Sequence, residues 1–255
     1  KTLFKILILL QMIPNLSFGQ ELYKEFELQH PDTVISHSLY NSIDFIDSRV
    51  DTSNMGIVQV GIMNNLAKVI TKIPLHLQLN NLLTGITDST SQNGQLLLQI
   101  RHFLFAETTS LSSEKGYCYL RANLFSKNDD EYTKIGSVDT VVLVKKMDVT
   151  NSLMKYGSKL ITDMIVSNLT IKPQVETQLS YNEILKVDSI EKLKLKVYNT
   201  ESFTDGLYYN YNSFRNQIPD KDIIVKTRGD LSIVNVKVKD DYNNLIKLKS
   251  SDFYA

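Results

Sequence analysis

The sequence predicts an α+β protein: a largely antiparallel sheet with two packed helices, followed by a smaller strand-rich C-terminal unit. Three observations carry that expectation. The segments Gln95 to Ala106, Gly116 to Ser126 and Tyr132 to Lys145 follow one another with the two-residue period of strands. Directly behind them Leu153, Gly157, Leu160, Ile161, Met164, Ile165 and Leu169 recur at three- and four-residue steps, the stripe of an amphipathic helix. A second stripe, Leu75, Leu79, Leu82, Leu83 and Ile86, follows Pro74, a residue suited to a first helical turn. A helix with one apolar stripe must bury it, and the neighbouring sheet face is the nearest place.

In chain order, residues 1–19 read as a signal peptide. Lys1 and Lys5 give a basic start, Ile6 to Ile13 an apolar core, and Ser17 and Gly19 the small residues of a cleavage site before Gln20. The apolar run is far short of the roughly 20 residues that span a bilayer. The mature chain is therefore expected to be periplasmic or secreted, without a transmembrane span. The chain begins with Lys and stops at Ala255 just after a strand-like run, so a reading frame clipped at both ends is expected.

Residues 20–40 form a polar N-terminal extension with a turn at His30-Pro31-Asp32. The main α+β domain is placed at 41–170. It starts with a strand at Ser42 to Ser48 and a hairpin, Ile57 to Met63 and Leu66 to Lys72, turned at Asn64-Asn65. The helix behind Pro74 and a polar loop from Thr87 to Gly94 lead to the three strands. In the first strand Leu96, Leu98, Ile100, His102, Leu104 and Ala106 share one parity, which places His102 in the core. Lys127 to Glu131 is a hairpin turn, and Asp148 or Thr150 is the expected N-cap of the last helix. Residues 171–180, with Pro173, form a linker.

The unit at 181–255 has its own pattern. Leu193, Leu195 and Val197 alternate with Lys192, Lys194 and Lys196, as on a lysine-protected edge strand. Asp205-Gly206 is a turn, Tyr208 to Gln217 a short helix closed by Pro219, and Ile223 to Arg228, Leu231 to Lys239 and Leu245 to Lys249 are strands.

The composition excludes more than it identifies. With 28 basic and 28 acidic residues there is no electrostatic case for nucleic acid. One cysteine permits no internal disulfide, and Cys118, which shares a strand face with Leu120 and Leu124, reads as a buried, inert thiol. No nucleophile-elbow, zincin or phosphate-loop motif is present, so no cofactor, metal or catalytic residue is assigned. His30, Asp32 and His37 lack diagnostic metal spacing, and the acids Asp129, Asp130 and Glu131 read as a solvated hairpin tip.

Two groups remain as candidate ligand-binding residues. Asp47, Arg49 and Asp51 cluster where the first strand ends; Arg49 forking onto a carboxylate would make a structural latch. Tyr208, Tyr209, Tyr211 and Phe214 concentrate aromatic faces that either stack on a sugar or fill the small unit's core.

The order of elements from Asp47-x-Arg49 and Gly56 through hairpin, helix, three strands and terminal helix resembles the small α+β domain of YajG-like bacterial envelope lipoproteins, over residues 40–170. The chain departs from that family in lacking a cysteine for lipidation. The stretch Asp205 to Phe214 with Pro219 is similar to a Gly-x-Tyr…Phe…Pro element of exported Bacteroidetes-type proteins of unknown function. These resemblances imply an exported, non-catalytic binding or assembly protein of the cell envelope, partnered by an envelope protein or a glycan. A carbohydrate-binding module using the Tyr cluster, or a hydrolase of an envelope polymer, is the alternative.

Overall fold

The structure, a computed structural model, describes residues 21–109, 114–174, 178–228, 234–240, 242–249 and 252–254. The expected leader lies outside them, as do the first residues of the expected strand Leu231 to Lys239. The fold class is α+β as expected, in two compact units divided between Ser180 and Tyr181.

The first unit is built on one eight-stranded sheet. Its strands are β1 (Leu22–Glu25), β2 (Tyr40–Asp47), β3 (Gly56–Val60), β4 (Asn65–Ile70), β5 (Gly94–Thr109), β6 (Glu114–Asn128), β7 (Glu131–Lys146) and β8 (Gln178–Ser180). Helix α1 (Leu75–Ile86) lies between β4 and β5, and α2 (Thr150–Val166) follows β7. The order is β1-β4-β3-β5-β6-β7-β8. The pairs from β5 to β8 and β3–β4 are antiparallel, whereas β1–β4, β2–β5 and β3–β5 are parallel.

The long strand β5 takes two neighbours in succession on one flank. β2 pairs with Gly94 to Ile100, and β3 joins at Phe105 and Ala106. The β2–β3 loop therefore runs beside the middle of β5. Turn chemistry places the hairpins: Asn64 (φ 51°) and Asp129 (φ 54°) adopt the left-handed backbone that Asn and Asp tolerate.

Both helices bury their stripes in one core. Leu79, Leu82, Leu83 and Ile86 of α1 and Leu153, Ile161 and Ile165 of α2 join Leu98, Ile100, Phe105, Leu120 and Leu124 from the sheet. Phe26 and Leu28, just after β1, enter the same core, so the polar extension contributes to the domain. Cys118 is buried there too.

Four expectations are corrected. A β-bulge lies between Ile100 and His102 in the pairing with β6. An extra residue reverses which side chains face the core, so Phe103 and Phe105 point inward and His102 and Leu104 are exposed. Two phenyl rings bury more apolar area than an imidazole and a leucine, which is the gain that holds the bulge. The N-cap of α2 is Val149, with no side-chain cap; Thr150 lies inside the helix and donates to Gln59 O (2.9 Å) and Glu107 Oε2 (3.1 Å). The linker is not free throughout, because Gln178 to Ser180 pair with Glu131 to Thr133. Finally, the lysine-alternating stretch is not a strand. Val187–Leu193 is helical (α4, after a short α3 at Tyr181–Leu185), and Lys196–Tyr198 is a 3₁₀ turn. Strand alternation needs a partner ladder to satisfy its backbone, and no described strand pairs there; local helical hydrogen bonds do so instead.

The second unit holds α3, α4, a short helix α5 (Tyr211–Arg215) and a three-stranded antiparallel sheet of β9 (Val225–Arg228), β10 (Val234–Lys239) and β11 (Leu245–Leu248). Val236 and Val238 pack with Leu207, Ile223, Leu248 and Phe253. Gly206, at φ 152°, lies so close to Pro219 that a Cβ would collide with its ring, which fixes the Asp205-Gly206 turn against that proline.

Candidate functional site

The Asp47–Asp51 loop folds on itself. Arg49 forks onto Asp47, with Nε 2.9 Å from Oδ1 and Nη2 2.7 Å from Oδ2, while Nη1 donates to Asn54 O at 2.8 Å. The ion pair is mostly withdrawn from solvent, the side chains being 13% and 25% exposed. Asn54 in turn accepts from Gly56 N at 2.8 Å. Backbone bonds tie the loop ends to the sheet: Ser48 N to Ile100 O, Met55 N to Val69 O, and Phe105 N to Met55 O. Gly56 stands at φ 98° with its Cα so close to Phe105 O that a Cβ would collide with it, so glycine is needed there on both counts. Asp51 does not join the pair. It accepts from Ser53 N (2.8 Å) and Ser53 Oγ (2.6 Å), and those bonds hold its carboxyl below the usual carboxylate value.

Beside this latch is a cleft of about 400 Å³, lined by Phe45, Arg49, Asn54, Ile70, Pro74 and His76 among others. Its one lining carboxylate, Asp47, is neutralised by Arg49. The arrangement is suited to holding a loop in place.

A second cleft of about 440 Å³ lies between β1, the β3–β4 hairpin and the start of α2, with Lys24, Gln59, Glu114, Asp148 and Thr150 on its walls. Glu114 Oε2 accepts from Val149 N at 3.3 Å, and Glu107 Oε2 from Gln59 N at 2.8 Å. Carboxylates brought from β5 and β6 thus serve the helix start that carries no cap of its own. Burial pushes the Glu107 carboxyl above its ordinary value, against the hydrogen bonds from Gln59 and Thr150. Its other oxygen, Oε1, is shielded and has no hydrogen-bond partner among the described residues. Only tertiary placement reveals this group, since Glu107 and Thr150 are far apart in sequence.

The aromatic candidates divide. Tyr208 is buried, its hydroxyl donating to Thr204 O at 2.6 Å, whereas Tyr209 and Tyr211 are exposed. Phe214 is the hub, with centroids 5.3 Å from Tyr208 and 5.7 Å from both Phe203 and Tyr254. The rings meet at 88°, 49° and 48°, edge-on or tilted, so they pack on one another. Asn210 caps α5 by accepting from Ser213 N. Asp47 and Arg49 meet in one place and the Tyr residues in another, within different units.

The outward face of the first sheet was not singled out by the sequence. Registers place Leu143, Tyr117, Ala106, Ile57, Lys68 and Tyr23 in one row crossing β7, β6, β5, β3, β4 and β1. Val141, Tyr119 and Leu104 form the next row, and Asp139, Arg121 and His102 the third. Leu104, Val141 and Leu143 are 49%, 57% and 50% exposed, and Ile57 is also exposed. His102 stacks on Tyr119 with centroids 5.2 Å apart, and Arg121 Nε lies 3.3 Å from Asp139 Oδ2. The result is an open apolar and aromatic strip with a charged border.

His76 is exposed at the start of α1, and no group of three metal-ligating side chains occurs among the described residues. Burial pushes the Cys118 thiol up to about 12. No described helix is long and apolar enough to cross a membrane.

No family model and no curated protein matches the chain. Among solved structures, the crystal structure of protein XCC0632 from Xanthomonas campestris, of family DUF330, is similar over 67% of this chain and 98% of that one, at 11% identity and a TM-score of 0.33. That likeness is too distant to transfer any property.

Proposed function

We propose that the chain is an exported, non-catalytic binding or assembly protein of a bacterial cell envelope, of the kind the YajG-like resemblance implies. One observation carries the binding part: the strip of Ile57, Leu104, Tyr117, Tyr119, Val141 and Leu143 turned to solvent across neighbouring strands. Contiguous apolar surface costs hydration free energy and marks sites that associate. The aromatic residues and the Arg121–Asp139 border match the usual make-up of an interface centre and rim. Export rests on the basic, apolar and small-residue pattern of residues 1–19.

The test places a photo-crosslinking residue at Leu104 and, as control, at His76, in cells exporting the chain. An adduct of discrete mass is expected from Leu104, weakened by Val141→Asp and absent from His76. A Leu104 position that gives no adduct with any protein or glycan, or a product retained in the cytoplasm, would overturn the reading.

A further inference from the structure

We propose that β7 is a docking edge for a second copy of this chain, the two β7 strands pairing antiparallel about a two-fold axis centred on Val142. The proposal rests on the binding reading above and names the partner.

The edge is open along most of its length. β7 runs from Glu131 to Lys146 and pairs with β6 on one side throughout. On its other side β8 covers only Glu131 to Thr133, and no described strand covers the remainder. A register shift near Ile135 separates the covered end from the open one. Every second residue of an edge strand directs its backbone N–H and C=O outward, a ready template for another strand. Natural edges are normally blunted by charge, yet Thr140-Val-Val-Leu-Val144 carries none.

Charge complementarity selects the occupant and the register. Exposed Ser137, Asp139, Val141, Leu143 and Lys145 share the outward face of β7, while Val138, Val142 and Val144 join the core side. Two-fold antiparallel pairing sets each residue opposite its mirror position in the partner copy. Centred on Val142, it sets Asp139 opposite Lys145, Val141 opposite Leu143 and Thr140 opposite Val144, with every contact occurring twice. Centred on Val141, it sets Asp139 opposite Leu143. Centred on Leu143, it sets Lys145 opposite Val141. Only the Val142 register matches opposite charges while keeping apolar residues together, the arrangement that favours cross-strand pairs. Lys145 makes no ion pair within the described residues, and the Asp139 side chain in its ion pair with Arg121 remains 60% exposed, so both are accessible. In this register the partner strand ends opposite Val138, clear of β8 at Glu131 to Thr133. A two-fold axis through Val142 also joins the Val141, Leu143 and Tyr119 strips of both copies into one surface.

The test is sedimentation of the purified full chain over a concentration series, with charge variants. A reversible dimer is expected. Lys145→Asp sets like charges opposite each other twice and should weaken dimerisation by about tenfold or more. Asp139→Lys should do the same. The double variant Asp139→Lys/Lys145→Asp restores opposite charges across the axis and should recover dimerisation to within about threefold of the parent. Thermal melting of each variant separates lost pairing from lost folding: Asp139→Lys also loses Arg121, so Lys145→Asp, which breaks no ion pair among the described residues, is the decisive single change. A chain that stays monomeric at submillimolar concentration overturns the proposal, and so does a dimer indifferent to Lys145→Asp. A monomer that still gives Leu104 adducts with a foreign protein or peptide overturns the second copy as occupant while leaving the binding reading standing.

Discussion

The ring of Phe105 stands against the bare Cα of Gly157. A methyl group on Gly157 would lie 2.6 Å from Cζ and 2.7 Å from Cε1 of that ring, and 3.3 Å from Cys118 Sγ. Helix α2 therefore reaches the sheet at a position where glycine alone fits the present packing. Gly157→Ala should destabilise the first unit by about 1–3 kcal/mol, the usual cost of overpacking, even though alanine is the better helix former by about 1 kcal/mol. Phe105→Leu in the same chain should recover part of that loss. Urea unfolding of the two singles and the double measures the coupling; strictly additive effects would show that the ring is not what excludes the methyl.

Part of this packing was legible in the sequence and part was not. The stripe through Leu153, Gly157, Ile161 and Ile165 and the three strands before it are local periodicities, and they appear where the pattern places them. The bulge before His102 is invisible to that method. A period-two pattern has two possible parities, and the sequence offers apolar residues on both: Leu104 and Ala106 on one, Phe103 and Phe105 on the other. Which parity wins depends on the space beside Gly157 and Phe26, whose ring lies 5.0 Å from Phe103 and 5.5 Å from Phe105. Likewise the strip on the outward face needs the registers of six strands. Asp47 and Arg49 are two residues apart, so their latch needs only one turn and could be read directly.

Arg49 supplies the next expectation. Arg49→Lys keeps the charge but loses the fork that spans both Asp47 oxygens and the arm to Asn54 O. Both Arg49→Lys and Arg49→Ala should lower stability, the alanine change by about 1–3 kcal/mol because Asp47 loses its partner in a mostly shielded site. Differential scanning calorimetry reads the shift. Unchanged melting in Arg49→Ala would show that the loop is held by its backbone bonds to Ile100, Val69 and Phe105 alone.

Cys118 should be silent in the folded protein. Its thiol is buried beside Phe105 and Gly157, with its titration pushed up to about 12 by desolvation. At pH 8 almost none is thiolate, and no reagent reaches the sulfur without opening of the α2–sheet contact. Iodoacetamide labelling should thus be slow in buffer and rapid in denaturant, accelerating in Gly157→Ala by a factor set by that variant's lost stability. Prompt labelling of the folded parent chain would contradict the buried position.

Glu107 gives the pH dependence. Burial raises its carboxyl above the ordinary value in the folded chain, so the folded state holds the proton more tightly than the unfolded state does. The sign follows from linkage: between the unfolded and folded values the native state binds more protons, and stability falls as pH rises through that window. The penalty is absent below the unfolded value and fully present above the folded one. Glu107→Gln retains an oxygen to accept from Gln59 N and Thr150 Oγ1 but carries no charge to desolvate. Its stability relative to the parent should therefore climb as pH rises from the ordinary carboxylate range and level off once Glu107 is fully ionised. The other carboxyls with displaced values among the described residues, Glu21, Asp51, Asp88 and Asp240, are lowered by hydrogen bonds, chiefly from Lys68, Ser53, Thr90 and Asn244 respectively, and tilt the curve the opposite way. They do so equally in both proteins, so the difference isolates Glu107. Urea midpoints measured for the pair from pH 4 to pH 8 decide the matter: parallel curves would mean that the carboxyl beneath the start of α2 is as well solvated in the fold as outside it.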